Sequence, residues 1–304
     1  MRTIDVIRLS TLAAIWGAAF LFMRILVPVL GPLWTAELRV GIASVAMLLF
    51  MAATRRAMQF RVHWKEYLVL GILSAAMPGS LYAYAALTLP AGYSAILNAT
   101  TPLWGALIGT VALNEKLTAR KAAGLFIGIL GVAFLVRLGP MQFSPQVAIA
   151  VLACVGATLC YAVASTYSKI KSTDIAPPMM ATGSQLAATL VTLPWLPLSP
   201  MHGEVTPFIA VIVLALALLC SSVAYFIYFR LIVDIGPTQT MTVTFLIPLF
   251  ALIWGWLFLH EAIDLTTLIG CALVIVAAWL VAYQKTPATI THGLESAQLP
   301  RFDK

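Results

Sequence analysis

Eight residues of this chain place polar or aromatic groups inside stretches that are otherwise almost wholly apolar: Trp16, Tyr82, Asn98, Tyr161, Gln185, Tyr225, Tyr228 and Thr244. The chemistry open to such a set is recognition. Hydroxyls and amides hold the polar head of a small molecule, and aromatic faces wall its body. A single buried Tyr or Asn is more often a packing or interhelical bonding residue. Occurrence at matched positions along the chain is what favours a site here. Pro78 lies one helical turn before Tyr82, on the same face, where it opens backbone groups to the same space. The set carries no fixed charge, so recognition is expected to rest on hydrogen bonds and ring contacts alone.

Charged groups sit elsewhere. Glu37 and Arg39 open the second apolar stretch and Arg24 closes the first. This assigns all three to the outer surface, either as a gate pair of Glu37 with Arg24 or Arg39, or as side chains snorkelling to the interface. Glu115 and Glu261 each follow an apolar stretch and precede the next helix, with Thr118 and Thr266 as N-caps. A carboxylate there favours a helix N-terminus, so an orienting role is preferred over gating. Pro102 and Pro248 each remove one helix hydrogen bond; they either shape a hinge or a bend at the cavity or are simply tolerated in the helix.

The parts of other chemistries are missing. Cys154, Cys160, Cys220 and Cys271 lie in apolar stretches without a CxxC pair, and His63, His202, His260 and His292 fall in loops or the tail. No Asp lies inside an apolar stretch, and Ser221 and Ser222 have no visible partner. An enzyme, a metal site and a bound cofactor are not expected. Glycine-rich nucleotide motifs are absent, which excludes an attached ATPase.

The elements that must position these residues follow from composition. Hydrophobic residues make up 62% of the 304 and charged residues 10%, against about half and a quarter in soluble proteins. The excess implies an integral membrane protein with the lipid bilayer as its surroundings. About 20 apolar residues cross the hydrocarbon as a helix. Ten such spans are expected, near 6–28, 33–53, 66–88, 91–113, 119–137, 147–168, 177–198, 208–233, 237–259 and 265–283. With the N-terminus inside, 15 of the 18 Lys and Arg residues fall on the cytoplasmic side. The net charge of +7 therefore reports orientation rather than a nucleic-acid face. Both termini are expected in the cytoplasm, with a disordered tail over 286–304. The oligomeric state is left open.

The chain also repeats itself. "TTPLWGALIGTVALNEKLT" and "LIPLFALIWGWLFLHEAID" share a pattern: Pro102 recurs as Pro248, Glu115 as Glu261 and Gly124 as Gly270. Trp16 matches Tyr161, Tyr82 matches Tyr228 and Asn98 matches Thr244. Two halves of five helices follow, 1–140 and 141–285. Five is odd, so the second half enters the membrane from the opposite side. Inverted repeats of this kind are the geometry of alternating access, with substrate held at their interface.

The run from Pro102 through "NEKLT" to Gly124, Gly128 and Gly131 resembles the hallmark of EamA-type transporters of the drug/metabolite transporter superfamily. "HEAID" with Gly270 is its looser second copy. Asn114 and His260 stand where that pattern usually has Gly. The stretches "IWGAAF" and "ELR" look most like exporters of the YddG type, which carry aromatic amino acids. The resemblance implies ten helices around a central cavity, with the fifth and tenth packed outside. The expected function is export of aromatic and other neutral amino acids across the inner membrane. The alternative is export of another small metabolite or drug.

Overall fold

A computed structural model describes residues 2–112, 116–138, 144–171 and 174–282. Glu115, the linker near residue 140 and the tail 286–304 lie outside the described residues, and so do the expectations placed on them. All regular structure among the described residues is helical. The helices are α1 (Thr3–Leu30), α2 (Pro32–Ala53), α3 (Phe60–Ala85), α4 (Ala91–Ala112), α5 (Ala119–Leu138), α6 (Pro145–Lys171) and α7 (Pro177–Thr192). Then come α8, built from Pro207–Leu214, Ala215–Val223 and Ala224–Ile235, then α9 (Val243–Leu259) and α10 (Leu265–Ala282). Seven of them (α1–α4, α6, α8 and α10) are long and apolar enough to cross a membrane. The chain is a multi-pass, all-α membrane protein. Helices suit this role because each satisfies its own backbone polar groups where no water can.

Local sequence explains the joints. Gly31 has φ +79°, a left-handed value that a side chain would strain, and Pro32 follows as the first residue of α2. One residue thus turns α1 into α2. α1 runs through the middle of the bundle, with Leu12, Leu26, Val27 and Leu30 fully buried. It packs on α9, α8 and α4. α5 packs chiefly on α10. Gly124 makes that approach possible: a Cβ there would come within 2.9 Å of the Ala277 carbonyl. Large apolar side chains such as Leu152, Leu190, Phe208 and Leu265 cover the outer face, as lipid contact requires.

Three helices are irregular where it matters. α3 contains a π-helical stretch at Ile72–Ala76 and α8 another at Ala215–Val223. α4 breaks between Ala91–Asn98 and Thr101–Ala112. Pro102 has no N–H for the carbonyl four residues back, that of Asn98. The Thr101 hydroxyl donates to that carbonyl instead, at 2.7 Å. His63 is not in a loop: it is buried in the first turn of α3, its ring 6.2 Å from Tyr67.

Candidate functional site

A cavity of about 310 Å³ lies between the helices. Its walls come from α1, α2, α3, α4, α6, α7, α8 and α9, and neither α5 nor α10 reaches it. Eight of the nine residues expected to hold a ligand line it. From the first half come Trp16, Tyr82 and Asn98; from the second come Tyr161, Gln185, Tyr225, Tyr228 and Thr244.

The aromatic groups form two crossed pairs. Trp16 of α1 lies 5.5 Å from Tyr228 of α8, and meets Tyr225 edge-on at 6.4 Å. Tyr161 of α6 lies stacked 6.3 Å from Tyr82 of α3, and Phe20 meets Tyr82 edge-on at 5.5 Å. Each pair joins one half of the chain to the other. The Trp16 indole N–H donates to the Cys220 carbonyl at 3.2 Å, inside the π-helical stretch of α8. The Tyr82 hydroxyl donates to Asn98 Oδ1 at 2.9 Å, across the break in α4. These bonds fix two ring orientations without using up the rings' faces.

Pro78 is the exception. It is buried in α3 and does not line the cavity, but Ser74 and Ala75 do. The reason is its backbone. Pro78 cannot bond the carbonyl of Ser74, four residues back, and the π-helical stretch there carries Ser74 to the wall. The same rule links the other two prolines to the site. Pro102 stands four residues after Asn98 and Pro248 four after Thr244, both of which line the cavity.

The gate pair expected at the outer surface is not formed. The Arg24 guanidinium donates to the carbonyls of Ala86, at 2.6 Å, and Leu87. Glu37 is buried and accepts the Thr192 hydroxyl. Arg39 lines the cavity, and its Nε–H donates to Ser221 Oγ at 2.9 Å. Residues two apart on a helix point to different faces, which separates Glu37 from Arg39. The cavity therefore does hold a fixed charge, contrary to expectation. Arg39 lies seven residues into α2, about 10 Å along its axis, well below the surface assigned to it.

Glu261 orients a helix, though not the next one. Both its carboxylate oxygens accept the Ala91 N–H at 3.0 Å, at the start of α4. The start of α10 is held instead by Asp264, which accepts the Thr267 N–H at 2.8 Å and the Thr266 hydroxyl at 2.7 Å. Thr266 is thus a donor to the cap and not the cap. Thr118 does accept an N–H of α5, from Lys121. Burial pushes the Glu261 carboxyl above its usual range, against the pull of the Ala91 and Gly92 N–H groups and the Arg24 charge.

Among the described residues no three His, Cys, Asp or Glu side chains gather as metal ligands. The site has the make-up of a binding chamber: rings, amides, hydroxyls and one cation. Its relatives point the same way. The family model described as "EamA-like transporter family" matches residues 6–137 and again 148–283. The chain belongs to the EamA-like transporter family. It is 24% identical to the uncharacterized transporter YoaV of Bacillus subtilis (strain 168), over 86% of this chain and 90% of that one. An uncharacterized transporter of Archaeoglobus fulgidus is 28% identical, over 88% and 93%. Protein PecM of Dickeya dadantii (strain 3937) is 26% identical, over 88% of each. A solved crystal structure superposes with a TM-score of 0.64 at 18% identity, covering 92% of this chain and 96% of its own, which speaks for the fold. This EamA-family chain is a membrane transporter of small molecules and not an enzyme.

Proposed function

We propose that this transporter carries one small organic molecule at a time through the central cavity, by alternating access between two inverted five-helix halves, 1–140 and 141–285. In this reading α5, α7 and α9 cross the membrane along with the seven longer helices, making ten spans. One observation carries it: the crossed aromatic pairs, Trp16 with Tyr228 and Tyr161 with Tyr82. The four residues are repeat-matched, so each half offers the other the same contact. The twofold family match and the π-helical stretches in α3 and α8 support the same symmetry. The partition of basic residues supports an inner-membrane protein with both termini in the cytoplasm.

The relatives favour the broader substrate class of small metabolites or drugs, since none of those named here is described by an amino acid. Amino acids, aromatic and neutral, are a narrower reading within that class, supported by the mix of rings with polar groups. At about 310 Å³ the chamber sits at the small end of ligand sites, roughly 300–1,000 Å³. The test is flux in proteoliposomes over a panel of amino acids, organic acids, amines and neutral aromatics. Labelling of Arg56→Cys and Glu204→Cys, on a cysteine-free background, reports sidedness in the same vesicles. Movement of at least one panel member, reduced severalfold by Trp16→Ala with the fold intact, is the expected result. Equal flux in wild type and Trp16→Ala would place the path elsewhere, and labelling of both positions from one side would end the topology.

A further inference from the structure

We infer that Arg39 is the anion-binding group of the cavity, and that the transported molecule is an organic acid with an apolar or aromatic body. This rests on the reading of the cavity as the transport chamber and narrows its substrate.

Four observations carry it. Among the described residues lining the cavity, Arg39 is the only charged one, and none is Asp or Glu. The described residues give Arg39 no ion pair; its nearest acidic neighbour in sequence, Glu37, faces another way and is engaged by Thr192. A guanidinium has five N–H donors, and among the described residues only the Nε–H has a protein acceptor, Ser221 Oγ. The terminal N–H groups, the fork that matches a carboxylate, remain for a ligand. Finally, Gln185 is 5% exposed, lines the same cavity from α7, and its Oε1 has no hydrogen-bond partner among the described residues. α2 and α7 pack on each other, so this cation and this unpaired acceptor belong to one wall.

An unpaired cation within a bilayer is expensive and marks substrate paths. Here the missing negative charge is the substrate's. An unpaired buried amide oxygen has its own cost, which a ligand N–H or O–H removes. The rings of Trp16, Tyr228 and Tyr225 line the same cavity. A molecule with a carboxylate, a hydrogen-bond donor and an apolar body answers all three features. A cationic drug lacks the carboxylate and meets like charge at Arg39.

Four probes sharing one ring separate these ideas: 3-phenylpropionate, its neutral amide, phenylalanine and phenethylamine. Binding is measured by calorimetry on the full-length protein in nanodiscs, and flux in proteoliposomes. The wild type is expected to bind 3-phenylpropionate about tenfold or more tighter than the amide, the scale of a hydrogen bond to a charged group. Phenethylamine should bind weakest. Arg39→Gln should erase the acid-over-amide preference, and Arg39→Lys should keep part of it. Gln185→Leu should lower the affinity for phenylalanine more than for 3-phenylpropionate.

Equal binding of acid and amide by the wild type overturns the inference without any variant, so a misfolded Arg39→Gln protein does not protect it. A preference for phenethylamine, or an acid preference that survives in folded Arg39→Gln, also overturns it. If amines or neutral probes are carried and Trp16→Ala stops them, the chamber stands and only the anion assignment falls. If no probe binds or moves, both fall.

Discussion

The two ends of the bundle are tied in different ways. At the end where α1 finishes, almost every tie involves backbone. Arg24 holds the carbonyls of Ala86 and Leu87, Glu261 holds the Ala91 N–H, and the Trp34 indole donates to the Ser199 carbonyl at 2.8 Å. The backbone N–H groups of His202 and Gly203 both reach the Val29 carbonyl. At the end where α1 begins, the described residues add ion pairs between side chains. Asp234 of α8 accepts Arg8 at 2.7 Å and Arg230 at 2.9 Å, and Asp5 lies beside Arg2 and Arg8. Met241, on the cavity rim towards this end, is half exposed, while Leu26, Val27 and Leu30 at the other end are fully buried. Backbone ties are lost only by unmaking a helix end or a loop. Ion pairs whose arginines reach water, as Arg8 and Arg230 do, trade partners with it at small cost, about 0–1 kcal/mol each. The comparison teaches which end is held by exchangeable bonds and which by fixed ones.

The largest effect is expected at the fixed end. Glu261→Ala leaves the Ala91 N–H without its acceptor and removes a helix cap, costing about 1–3 kcal/mol of stability. A melting curve of the detergent-solubilised protein reads this, and an unchanged midpoint would remove Glu261 from the scaffold. Its pH response has a definite sign. Burial raises the folded-state value of Glu261 above the ordinary 4.5. Protonation then favours the folded state, so its contribution grows on mild acidification and is lost as pH rises through the raised value. Asp264, three residues on, runs the other way. The upward push of burial, the largest single influence, is outweighed by the combined hydrogen bonds from Thr267 and Thr266, which hold it below the ordinary 3.8. Its contribution is present above 3.8 and is lost as pH falls through the lowered value. Glu261→Gln should flatten the gain on mild acidification, and Asp264→Asn the loss at lower pH.

A smaller effect is expected at the exchangeable end. Asp234→Asn weakens two charge-assisted bonds, from Arg8 and Arg230, with a cost of about 1 kcal/mol in total for partly exposed pairs. High salt screens such pairs. In 1 M salt the melting gap between wild type and Asp234→Asn should close, while the gap to Glu261→Ala persists. Two gaps with the same salt response would erase the contrast between the ends.

Much of this molecule was legible in its sequence. Apolar runs located the helices, and the recurring Pro and Glu accord with a family model that matches the chain twice. Eight of nine ligand candidates reached one cavity because polar groups inside such runs have few places to go. What escaped depended on direction. α2 is apolar on all sides, so its sequence carries no periodicity to say that Arg39 turns inward. Sequence position sets Glu261 beside the helix that follows it, but its partner Ala91 lies 170 residues away. Pro78 itself lies outside the wall, because a proline's effect is felt at the carbonyl four residues before it. That offset applied to Pro78, Pro102 and Pro248 names Ser74, Asn98 and Thr244, all three in the lining.

The smallest effect belongs to the cavity, between the two ends. Tyr82→Phe keeps the ring that stacks on Tyr161 and removes only the hydroxyl that donates to Asn98 Oδ1. The loss is one hydrogen bond, about 1 kcal/mol. The freed Asn98 oxygen faces the chamber and can accept from a ligand, so part of that loss is returned when a donor-bearing substrate binds. Melting should therefore fall slightly in the empty protein and less in the presence of a transported substrate. Flux should change by no more than severalfold. Tyr82→Ala removes the ring as well and should cost more, by the roughly 0.5–1.5 kcal/mol of an aromatic pair, and only for substrates with rings. Neither variant should alter the salt response of the Asp234 end or the pH response of the Glu261 end. If Tyr82→Phe did shift either, the cavity would be coupled to that end through Asn98 and the break in α4, and the two ends would no longer be independent.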